Sequence, residues 1–148
     1  MTGRIAEPDT LTEEESVAIP TVASLCSVLG THLAPAEGFS ATETPISAVH
    51  VSELPDPTAY VSGGELLLTT GLTLPTNEIG CEQYVARLVN AGIAAIGIGL
   101  GPVYTEPPEP LASACRALDL PLLVVPVPTP FLTVTNAYWS ARARSAEQ

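Results

Sequence analysis

The chain has 148 residues, 46% of them hydrophobic, with 5 basic and 16 acidic side chains and a net charge of −11. That length suits one domain able to bury about two-thirds of its unfolded surface. All the bases are arginines, too few to form the basic patch that displaces counterions from phosphates, so the composition speaks against direct nucleic-acid binding and against attachment to an anionic membrane.

Residues 1–19 are polar and acidic and read as a flexible acidic tail, in which Thr12 and Glu15 have the spacing of a capping box. This stretch lacks the apolar core of a secretory signal. The domain is expected over 20–148. Thr21 suits the N-cap of a short helix, Val22–Leu29, stopped by Gly30. Thr31 to Pro45 shows little periodicity and reads as an irregular connection.

From Ile46 the stretch ISAVHV alternates as a strand does. In SELPDP, Asp56 before Pro57 caps one short helical turn running through Tyr60. Gly63 and Gly64 then bend the chain into ELLLTT, Glu65 to Thr70, whose unbroken apolar run predicts a strand buried on both faces. Asn77 caps a helix with Cys81, Tyr84, Val85, Leu88 and Val89 on one side, ended by Gly92. Ile93–Ile98 reads as a small-residue strand. Pro110 opens a helix with Leu111, Ala114, Cys115 and Leu118 at helical spacing. LLVV, Leu122 to Val125, is another buried strand, and Thr129-Pro130 opens a last helix. Strands alternating with helices predict an α/β domain, a mainly parallel sheet with flanking helices.

In such sheets, ligands bind at the carboxyl ends of the strands. That rule selects TTGLTLPTN, GLGPVYT and PVPTP. Thr69 and Thr70 offer hydroxyls, Gly71 permits close backbone approach, and the Asn77 helix points its positive end the same way. Glu53, Asp56 and Glu65, with Gly64 at the bend, form either an acidic rim around a cation or polar ligand, or a set of caps for turn amides. These residues, Glu53, Asp56, Gly64, Glu65, Thr69, Thr70 and Gly71, are the expected ligand-binding set. The last helix carries Phe131, Val134, Tyr138 and Trp139, an expected dimer or interdomain surface.

Several chemistries find no footing. In GIGLGP the third glycine is misplaced for a dinucleotide fingerprint and no helix follows directly. The cysteines, Cys26, Cys81 and Cys115, are far apart and suit reduced thiols of a cytoplasmic protein better than a disulfide framework or zinc site. His32 and His50 stand near no nucleophile motif. Neither a cofactor, nor a metal, nor catalysis is expected.

HVSELPDPTAYVSGGELLLTTGL, His50 to Leu72, resembles the N-terminal domain of the purine catabolism regulatory protein (PucR-type) family of bacterial transcription regulators. The likeness rests on Glu53, Leu54, Asp56 and Pro57, on the block from Gly63 to Gly71, on YVARLVNAGIAAIGIGLG from Tyr84, and on LPLLVVPVPTPF from Leu120. It implies an effector-sensing domain placed before a helix-turn-helix that this chain does not contain, so the chain is an excised or a free-standing regulatory domain. The implied partner is a small-molecule effector, a purine or related nitrogen compound; a second copy of the chain in a homodimer is expected from the aromatic residues of the last helix, and an interaction module without a ligand is the alternative reading.

Overall fold

The computed structural model describes residues 19–147; the expected tail, with Thr12 and Glu15, lies outside them. The elements run α1 (Val22–Leu29), β1 (Ala34–Pro35), β2 (Ala48–Val51), β3 (Glu65–Thr69), α2 (Glu78–Asn90), β4 (Ala95–Gly99), α3 (Glu109–Leu118), β5 (Leu122–Val125) and α4 (Phe131–Glu147), with 3-10 turns at Gly30–His32 and Pro57–Tyr60. The sheet has the order β1-β5-β4-β3-β2. Its four long strands are parallel, and only β1 pairs antiparallel, with β5. The expected α/β architecture is the observed one.

Period-two alternation along the strands supplies both faces of the core. Leu67, Ile96, Ile98 and Leu122 pack with Cys81, Tyr84, Val85 and Leu88 of α2 and Leu111 and Cys115 of α3. Leu66, Leu68, Ala95, Leu123 and Val125 pack with Val22 and Leu25 of α1 and Val134 and Tyr138 of α4. Two covered faces explain why β3 is apolar without interruption.

The composition of β4 has a similar origin. Its isoleucines face α2 and α3, while its small residues face α1 and α4. A Cβ on Gly97 would stand 2.7 Å from the Leu68 side chain, and one on Gly99 would stand 2.6 Å from the Phe131 ring. These glycines make room for packing, which accounts for GIGLG without any nucleotide.

Several boundaries move. Ile46, read as the start of a strand, is buried ahead of β2, and its amide binds the Pro20 carbonyl at 2.8 Å. Thr31 to Pro45 is not wholly irregular. It holds β1 and an isolated bridge between Thr21 and Pro45. The β4 strand starts two residues later than its hydropathy suggests. Val89 and Leu118, placed on buried faces by spacing, are exposed because each lies near the end of its helix. The caps read from the sequence are present: Thr21 accepts from the Ser24 amide, Asp56 from Thr58 and Asn77 from Gly80.

Candidate functional site

The carboxyl edge of the sheet is where the expected site would lie. Val51 is paired with Leu68 in register, which sets Glu53, two residues beyond Val51, beside Thr70. The Glu53 carboxylate accepts from the Thr69 hydroxyl at 2.9 Å, the Thr70 amide at 2.6 Å and the Leu72 amide at 3.3 Å. Thr73 donates its hydroxyl to the Glu53 carbonyl. Charge-assisted bonds of this kind are the strongest a loop can make. The donors that could have held a ligand's anionic group are therefore held by the chain's own carboxylate.

Neighbouring loops pack over the ends of β3 and β4. Gly71 is buried at φ 86°, and a Cβ there would meet the Tyr104 ring at 2.9 Å. Tyr104 comes from the loop after β4, so two of the loops expected to surround a ligand pack on one another. Phe131, at the start of α4, covers Gly99 in the same manner. Thr69 is 2% exposed.

The remaining acids are dispersed. Glu65 opens β3 and so lies a strand's length from Glu53. It is 6% exposed, and its two oxygens accept from the amides of Ser62 at 2.6 Å and Gly63 at 2.8 Å. Asp56 is exposed and caps Thr58 through both its amide, at 3.1 Å, and its hydroxyl, at 2.6 Å. The Thr58 hydroxyl, then the Thr58 amide, hold the Asp56 carboxyl below its ordinary range, assisted by Arg87. Arg87 approaches Asp56 at 3.7 Å and donates to the Pro55 carbonyl at 3.3 Å, fixing the 53–56 turn to α2. The expected rim of three acids does not form. Asp56 and Glu65 cap amides of their own turns, the alternative that the sequence had left open, whereas Glu53 reaches across to the loop after β3, and among the described residues no group of three or more His, Cys, Asp or Glu is placed to hold a metal.

The α4 candidates also separate. Val134 and Tyr138 are fully buried, and Phe131 is half-buried against Gly99. These three are packing residues of the domain, a correction to the surface expected there. Trp139 is 49% exposed and Leu132 65%.

Among the other reactive groups, His32 lies within 2.8 Å of the Thr129 hydroxyl at the surface. Burial raises the thiol of Cys115 to about 12, and desolvation also raises Cys81 and Cys26. These are poor nucleophiles near neutral pH.

One concavity, of about 540 Å³, is lined by Val103 to Glu109 in the loop after β4, and another lies at the opposite, amino edge. A groove of about 630 Å³ runs between residues 38–44 and the segments leading into β3, β4 and β5. Its walls include Phe39, Ser40, Thr42, Thr44, Gly64, Ile93, Arg116, Asp119 and Leu120. The Arg116 guanidinium lies 5.7 Å from the centre of the Phe39 ring and binds Glu109 at 2.8 Å through one nitrogen of its fork. Of the expected ligand set, only Gly64 borders this groove. The residues of 38–44 were missed because they occupy a stretch without periodicity. Their one legible signal was its density of Ser and Thr hydroxyls.

Over 96 residues the chain is 29% identical to the transcriptional activator PmfR of Paenarthrobacter nicotinovorans, covering 64% of this chain and 20% of that protein. The chain thus spans about a fifth of that relative's length. No solved structure matches it. The profile of the purine catabolism regulatory protein-like family aligns with residues 25–141, from α1 through most of α4. The chain belongs to this family of transcription regulators.

Proposed function

We propose that the chain is the effector-sensing part of a cytoplasmic transcription regulator, and that a small metabolite binds in the amino-edge groove. The observation that carries this reading is the contrast in polar groups. At the carboxyl edge the donors of Thr69, Thr70 and Leu72 are spent on Glu53, whereas the groove has a volume within the range of small-molecule sites and mixes an aromatic ring, a guanidinium and hydroxyls. A flat ring with several hydrogen-bonding groups, such as a purine or a ureide, suits a groove lined by Phe39, Arg116 and Ser40 together with Thr42 and Thr44, whose hydroxyls lie 2.8 Å apart.

The groove also has a mechanical connection to α4. The carbonyls of Thr42 and Thr44 accept from the amides of Ala23 at 2.7 Å and Val22 at 2.9 Å, the first residues of α1. Helix α1 packs on the same core face as Val134 and Tyr138 of α4. A ligand that draws residues 38–44 toward Arg116 shifts α1 and, through it, the population of α4 arrangements. In this reading α4 passes the signal to DNA-binding residues outside the chain.

Thermal unfolding in the presence of purine and ureide metabolites tests the proposal. A metabolite that raises Tm for the wild type and for Thr70→Ala, but not for Arg116→Ala, supports the groove. A rise that survives Arg116→Ala and disappears in Thr70→Ala would return the site to the carboxyl edge.

A further inference from the structure

Trp139 is a large apolar side chain, 49% exposed on α4. The Arg142 guanidinium lies 6.0 Å from its ring centre and 5.9 Å from that of Tyr138, and Trp139 meets Tyr138 edge-on at 4.8 Å. Arg142 donates to the Ser47 carbonyl at 3.2 Å and the Tyr138 hydroxyl at 2.8 Å. Among the described residues no carboxylate pairs with it, whereas Arg87 and Arg116 have Asp56 and Glu109. A half-buried guanidinium with only neutral partners among the described residues, beside an open indole, favours an anionic partner with some apolar surface. Arg144 is two residues on, about 200° around the helix, and does not share this face.

The chain carries such a partner at the right place. Residues 1–18 contain Glu7, Asp9, Glu13, Glu14 and Glu15 against one base, Arg4. This segment joins the fold at Ile19-Pro20, where the Pro20 carbonyl accepts from the Ile46 amide at 2.8 Å. The Ile46 carbonyl in turn accepts from the Tyr138 hydroxyl, and the next carbonyl, Ser47, accepts from Arg142. Glu13 to Glu15 stand five to seven residues before Pro20, a reach of up to about 17–25 Å. We propose that the acidic segment 1–18 docks on α4 of its own chain, pairing Glu13–Glu15 with Arg142 and covering Trp139. Its release would bare an aromatic and cationic surface on α4. The inference does not depend on the groove.

Trp139 is the single tryptophan of the chain, so its fluorescence reports on this contact. In the full chain at low ionic strength, 1 M salt is expected to shift the emission to the red and raise acrylamide quenching, because screening then acts within about 3 Å. A Glu13→Gln/Glu14→Gln/Glu15→Gln variant and a chain lacking residues 1–18 should both show the high-salt spectrum already at low salt. Identical emission and quenching in all three proteins at low salt would overturn the proposal. So would a red shift that appears on dilution of the wild type, since a second copy would then be the occupant of this face.

Discussion

At the carboxyl ends of β2 and β3, Glu53 holds one hydroxyl and two amides of the loop that follows β3, and Tyr104 lies over Gly71. At the amino ends the corresponding acid, Glu65, holds only the two amides of its own bend, and the space beside Gly64 is open. Both edges are made of glycines, hydroxyls and a carboxylate. They differ in whether the carboxylate reaches across to another element. Glu53 crosses from β2 to the end of β3 and closes the edge, whereas Glu65 turns back on residues 62 and 63 and leaves its edge free.

The heaviest way to break this contrast is Glu53→Ala. It strands a buried hydroxyl and two amides, at about 2–4 kcal/mol of stability, measured by denaturant unfolding. Glu53→Gln should recover part of that loss by accepting some of the same bonds. A cost for Glu53→Ala below that of a typical surface substitution would mean that the edge is not closed in solution.

Gly71→Ala comes next. At φ 86° under the Tyr104 ring, an added methyl group should cost about 1–3 kcal/mol. Adding Tyr104→Ala to it should relieve the contact part while the backbone part persists, and a double-mutant cycle separates the two.

The sequence made one edge more legible than the other, for physical reasons. Strand β3 and the cap that follows it were readable because Gly63 and Asn77 have local jobs, fulfilled within three residues of themselves. The same locality identified Asp56 as a cap. What a short-range reading cannot supply is the partner of a long-range bond. Glu53 and Thr70 are 17 residues apart, and nothing in TTG distinguishes hydroxyls and amides waiting for a ligand from ones already held. Val134 and Tyr138 showed helical spacing but not which face it turned to the sheet. Residues 38–44 lacked period because their hydrogen bonds run to the first turn of α1, to Val22 and Ala23, rather than to a strand.

A smaller effect is expected at the open edge itself. Arg116 is exposed, so Arg116→Ala should change stability by no more than about 0.5 kcal/mol. Its Tm should nonetheless cease to respond to the metabolite that stabilises the wild type.

The smallest expected effect concerns acid. The Asp56 carboxyl is held below its ordinary value of 3.8, chiefly by the Thr58 hydroxyl. It therefore stabilises the fold above that value and loses its contribution as pH falls through the lowered one. Asp56→Asn should flatten the acid limb of the stability profile by removing that small contribution near neutrality, and leave stability unchanged at a pH below the lowered value.

The central claim is that a ligand of this domain occupies the amino edge of the sheet. Amide chemical-shift mapping of the full chain during titration with a stabilising purine or ureide tests it most directly. The account predicts the largest shifts at residues 38–44, Gly64, Arg116 and Asp119, with a secondary response in α1 and little at Thr70 and Leu72. Shifts concentrated at Thr69 to Leu72, with residues 38–44 silent, would contradict it.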